Sequence, residues 1–150
     1  MKSKNFTLFF FILFTLFLYG PLAIGGNFSK APPEVVKHPH VRKVAPADAM
    51  KLIQQNKHNP KFVILDVRTP KEFFSGRIPG AINIDYEAPT FQQNIAQLDK
   101  SKTYLVYCRS GLRSGAATEL MESMGFKNIF DLEGGILNWK KSGLPMIQGP

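Results

Sequence analysis

The sequence predicts an α/β domain, a parallel sheet covered by helices on both faces. Three observations predict it. Strand-like and helix-like segments alternate from Val41 onward, and alternation of this kind needs crossover connections, hence parallel strands. The run "FVILDV" at residues 62–67 is apolar enough for a strand buried on both faces. Helix punctuation falls between the runs: Pro46, the trio Thr69, Pro70 and Glu72, and Gly125.

The elements follow in order. "VRKV" (41–44) reads as a short strand, and Pro46 opens the helix "PADAMKLIQQN". After the strand "FVILDV", "TPKEFFSG" reads as a short helix with a capping box of Thr69 and Glu72 and proline at the first helical position. "AINI" is a strand, "FQQNIAQL" a helix and "TYLVYC" a strand. "GAATELMESMG" is a helix stopped at Gly125, "NIFDL" a strand and "GGILNWKKSG" the last helix. Trp139, at helical spacing from Ile136, reads as core.

Residues 41–150 make this domain; 44% apolar and 20% charged residues suit a folded chain. Residues 26–40 hold three prolines and little periodicity, so they read as a linker. Residues 1–25 read as a signal peptide: Lys2 and Lys4 precede an apolar run from Phe6 to Tyr19, then Gly20-Pro21, with Ala23 and Gly25 fitting the small-residue rule for cleavage before Gly26. An uncleaved anchor is the alternative, since no charge occurs between Lys4 and Lys30. In both cases the charge asymmetry places the domain outside, in the periplasm or at the cell surface, with a membrane tether in the second.

The net charge of +8 becomes +6 when Lys2 and Lys4 leave with the signal. The basic residues are scattered, with no basic run or aromatic stacking pattern, so the surface suits small anions and not nucleic acid. His38 and His40 have no carboxylate or thiol close in sequence and are not read as a metal site.

The chain has one cysteine, in "YCRSGLRSGAAT" at residues 107–118. No internal disulfide is possible, and an unpaired thiol is a liability in an oxidising compartment, so its retention suggests use. Ligand sites in open α/β sheets lie beyond the carboxyl ends of the strands, which is where "TYLVYC" delivers Cys108 and "FVILDV" delivers Asp66 and Arg68. Gly111 and Gly115 permit a tight strand-to-helix reversal, with Ser114 as N-cap. In such a turn backbone N–H groups converge and the helix dipole adds positive potential. Cys108 then lies at the floor of an anion cradle, with Arg109 and Arg113 reinforcing it. Asp66 either holds loop amides or Arg113 by charge-assisted hydrogen bonds or simply caps a turn at the strand end. Arg68 and Glu72 read as a local structural pair.

"LDVRTPKEFFSGRIPGAINI", "VYCRSGLRSGAATELMESMGF" and "LEGGILNWKKSGLP" together closely resemble the single-domain rhodanese, or thiosulfate sulfurtransferase, family, in an exported form. The resemblance implies a five-stranded parallel sheet, a Cys108 persulfide intermediate, and substrate oxyanions held by Arg109, Ser110, Gly111, Leu112 and Arg113. Arg77 departs from the family, which often has histidine in "GHIPGA". Cysteine-dependent phosphatases are the nearest rival, but they carry C-x5-R, whereas Cys108 to Arg113 is C-x4-R and Tyr107 precedes the cysteine. The shorter loop suits, by family analogy, a sulfur atom on Cys108.

The expected function is transfer of a sulfane sulfur from thiosulfate or a similar small anion to cyanide or a thiol, by a monomer without metal or organic cofactor. A persulfide carrier serving a partner protein is the alternative.

Overall fold

A computed structural model describes residues 38–149. The signal-peptide reading and residues 26–37 of the linker lie outside the described residues. Among the described residues, no helix is long and apolar enough to cross a membrane.

Five strands and five helices alternate: β1 (Val41–Val44), α1 (Pro46–Gln55), β2 (Phe62–Asp66), α2 (Pro70–Ser75), β3 (Ala81–Asn83), α3 (Phe91–Ala96), β4 (Thr103–Tyr107), α4 (Leu112–Ser123), β5 (Ile129–Leu132) and α5 (Gly135–Lys141). The strands form one parallel sheet in the order β1-β5-β4-β2-β3.

Period-two alternation along the strands sorts the core into two layers. Leu65, Val106 and Ile129 face one way and pack with Phe91 and Ile95 of α3 and Ala117 and Met121 of α4. Ile64, Leu105, Tyr107 and Leu132 face the other way and pack with Ala49 of α1 and Ile136 and Trp139 of α5. Helices therefore cover both faces, as the sequence predicts. Trp139 is fully buried, its indole N–H donating to the Pro145 carbonyl (2.9 Å). The capping box of α2 is present in both directions.

α4 begins earlier than the sequence reading. It starts at Leu112, not Gly115, and its N-cap is Gly111 in the left-handed region (φ 99°). Ser114 is therefore not the cap: it is buried in the first turn, with its hydroxyl donating to the Gly111 carbonyl (3.3 Å). Gly115 is likewise helical, its N–H donating to the same carbonyl (3.0 Å). One left-handed glycine makes the whole reversal.

The chain runs outward from β2 to β3, returns across β2 to β4, and continues in that direction to β5. The carboxyl ends of β2 and β4 consequently flank the point where the winding reverses, where open α/β sheets open a crevice. Register aligns them: Asp66 pairs with Tyr107, and the Val67 N–H donates to the Tyr107 carbonyl (3.0 Å).

Candidate active site

Cys108 follows β4 directly, and the residue is 1% exposed. The Gly111 N–H donates to its Sγ (3.1 Å). α4 starts at the next residue, so its N-terminal dipole lies over the same sulfur. Both features place positive potential at the sulfur.

The loop is held from behind by α5. The N–H groups of Ile136 and Leu137 donate to the carbonyls of Cys108 (2.9 Å) and Arg109 (3.1 Å). That approach requires glycine at 135: a Cβ there would lie 2.5 Å from the Cys108 carbonyl oxygen and 2.6 Å from that of Arg109, and φ is +58°. Gly135, the second glycine of the last motif, thus lets α5 hold the Cys108 loop, a role that its position opening a helix does not reveal.

The remaining site candidates fall into two groups. Arg109 and Ser110 stand exposed on the loop, and Leu112, the first residue of α4, is 82% exposed. Arg113 faces away from the position expected of it. Its guanidinium donates to both Glu72 oxygens (2.9 and 2.8 Å) and to Glu87 (2.8 Å). The Glu72 hydrogen bond is the largest cause of a raised Arg113 pKa, and the Cys108 charge contributes least. Reciprocally, Arg113 holds the Glu72 carboxyl at about 2. Arg113 therefore ties α4 to α2, within electrostatic reach of Cys108.

Asp66 holds neither loop amides nor Arg113. It is fully buried and grips Arg68: Nε donates to both carboxylate oxygens (3.0 Å each), and a terminal nitrogen to Oδ2 (2.5 Å). The same nitrogen donates to the Gly76 carbonyl (2.7 Å). Burial opposes the Arg68 charge, but the bonds to Asp66 outweigh it and the pKa rises. The pairing of Arg68 with Glu72 expected from spacing is replaced by Arg68 with Asp66 and Glu72 with Arg113. Spacing along one helix gives no sign of either exchange, because Asp66 precedes α2 and Arg113 is 41 residues beyond Glu72.

Arg77 lies elsewhere. It bridges Ile147 in an antiparallel pair, donates to the Gly149 carbonyl and stacks over Phe73 at 4.6 Å. Among the described residues no group of His, Cys, Asp and Glu is arranged to hold a metal.

A parallel α/β sheet thus sets a cysteine under a glycine turn at its switch point, an arrangement of the kind in which a sulfur can meet a ligand. Comparison with known proteins gives the family: residues 46–142 match the rhodanese-like domain, and the chain belongs to that family. A sulfurtransferase of Allochromatium vinosum is 30% identical over 100 residues, covering 67% of this chain and 92% of that protein. An uncharacterised protein of Synechocystis is 38% identical over 102 residues, 67% of this chain but only 55% of that protein, so the chain spans about half of this relative's length. The crystal structure of a rhodanese-related protein from Thermoplasma volcanium superposes with a TM-score of 0.59 at 34% identity, covering 71% of this chain and 97% of that one. Family and relatives support sulfurtransferase chemistry in its broad sense.

Proposed function

We propose that the protein is an exported sulfurtransferase with Cys108 as its nucleophile. The observation that carries the reading is the Cys108 sulfur, set under the Gly111 N–H at the start of α4. The Cys108 thiolate attacks the outer sulfur of thiosulfate, a Cys–S bond forms as the donor S–S bond breaks, and sulfite leaves with the electron pair. The persulfide then gives its outer sulfur to cyanide, producing thiocyanate, or to a thiolate. This is the displacement chemistry of thiol–disulfide exchange. The loop amides and Arg109 balance the donor's charge, and fixed donors of this kind need no reorganisation during the reaction. Leu112 and Ser110 form the rim that the donor meets. The four-residue spacing between Cys108 and Arg113 favours sulfur over a phosphoryl group. Export rests on the sequence of residues 1–25.

One observation favours the carrier reading as second. Leu112 is 82% exposed, and Leu137, whose N–H holds the Arg109 carbonyl, is 50% exposed. Apolar side chains beside a reactive sulfur suit docking of a partner protein.

The purified protein, given thiosulfate and cyanide, is expected to form thiocyanate, and Cys108→Ser to form none. Sulfur uptake with negligible thiocyanate would favour the carrier; hydrolysis of an aryl phosphate without sulfur uptake would overturn both. For export, the mass of the protein from its native host should match a chain starting near Gly26.

A further inference from the structure

Asp131 has no part in the mechanism above, yet it lies on the same sheet layer. Two residues after Ile129 on β5, it faces the side of the sheet that carries Val106, Cys108 and the start of α4. It is 4% exposed, and its Oδ1 has no hydrogen-bond partner. An unpartnered buried carboxylate oxygen is costly, which calls for an explanation.

The surroundings supply one. Asp131 lines a cavity of about 250 Å³ together with Lys43, Ser110, Gly111 and Glu133. Gly111 is also the residue whose N–H points at Sγ. The Ser114 hydroxyl, in the first turn of α4, has one proton and two acceptors in reach: the Gly111 carbonyl and the Asp131 carboxyl. The charged groups facing Asp131 are Lys43 on β1, its register partner, and Glu133 just beyond β5; α4 contributes the neutral Ser114. Burial raises the Asp131 pKa, against the pull of Ser114 and Lys43.

We propose that Asp131 is a positioning residue that couples its own proton to the negative charge held by the Cys108 loop. As a carboxylate it repels an anion at Sγ and competes with the Gly111 carbonyl for the Ser114 proton; as a carboxylic acid it does neither. Charge on the loop, whether thiolate, persulfide or donor, and a proton on Asp131 then favour each other, since such coupling is reciprocal. This deepens the sulfurtransferase reading and rests on it for the donor, but not for the thiolate.

The test reads both. Iodoacetamide alkylation of Cys108 is followed from acid to alkaline pH, and the KM for thiosulfate is followed across the same range. Asp131→Asn is expected to move the alkylation midpoint down by about half to one pH unit, with a matching threefold to tenfold change in rate below the midpoint. The KM of the unaltered protein should rise as Asp131 ionises, while that of Asp131→Asn stays low and flat. Asp48→Asn, which removes an exposed carboxylate of α1 on the opposite face of the sheet, should leave the alkylation midpoint in place. An unchanged midpoint in a folded Asp131→Asn protein overturns the proposal. A shifted midpoint in a protein that never takes sulfur from thiosulfate overturns the donor chemistry and leaves the Asp131 coupling standing.

Discussion

β2 and β4 end side by side at the switch point with similar residues, and their charges have opposite fates. Beyond β2, Asp66 and Arg68 cancel each other, and the leftover guanidinium donor is spent on the Gly76 carbonyl. Asn83 seals the backbone there by donating to the carbonyls of Asp66 and Arg68 (2.9 and 2.8 Å). Beyond β4 the Gly111 N–H faces sulfur, and the Arg109 guanidinium has no partner among the described residues. Charged residues at a strand end thus mark a binding site only where they stay uncompensated. Compensated, the same residues are scaffold. Arg113 joins the two ends, carried by α4 but clamped by Glu72 of α2.

Four substitutions break or sharpen this contrast, and Arg68→Ala should have the largest effect. It strands the fully buried Asp66 charge, and loss of one partner of a buried pair costs about 3–5 kcal/mol, measurable by urea unfolding. The alkylation rate of Cys108 in the folded fraction should hold. A rate that falls with stability would mean that the β2 end belongs to the site.

Gly135→Ala attacks the β4 end. The left-handed backbone conformation alone costs about 1–3 kcal/mol, and the new methyl meets the Cys108 carbonyl. Displacing the loop by an ångström should lower the rate of sulfur uptake by Cys108, read by intact mass after thiosulfate, about a hundredfold, a loss of about 2.7 kcal/mol comparable with the loss of stability, whereas Arg68→Ala should lower stability alone.

Glu72→Gln tests the link. Because Arg113 holds the Glu72 carboxyl at about 2, below its unfolded value of about 4.3, the pair stabilises the fold above that value. The contribution is lost as pH falls from about 4.3 toward 2. With the Glu72 side chain 29% exposed, solvent screening leaves about 1 kcal/mol. Denaturant midpoints across that acid range should flatten in Glu72→Gln. Glu87→Gln should do least, under about 0.5 kcal/mol, since that carboxylate is 57% exposed.

The sheet, its helices and the place of Cys108 were legible in the sequence because each rests on a local signal: continuous apolar runs alternating with helical segments, Pro46, the Thr69 and Glu72 capping box, and glycines beside the cysteine. What was not legible depends on contacts across the fold. Glu72 meets Arg113 only because α2 and α4 follow neighbouring strands, and Gly135 is needed only because α5 docks on the loop. Ser114 looked like a cap because serine is a good one, but Gly111, in the left-handed region, had already turned the chain and started the helix. The Asp131 carboxyl gives no sequence signal: one acidic residue in a short strand reads as solvent-facing until α4 covers it.

The most direct test is the intact mass of the protein after thiosulfate is supplied without any acceptor. Cys108 is expected to gain one sulfur atom, located by peptide mapping and removed by cyanide, while Cys108→Ser gains nothing and keeps the fold. A folded protein whose Cys108 reacts with iodoacetamide but never gains sulfur from thiosulfate would contradict thiosulfate as its donor.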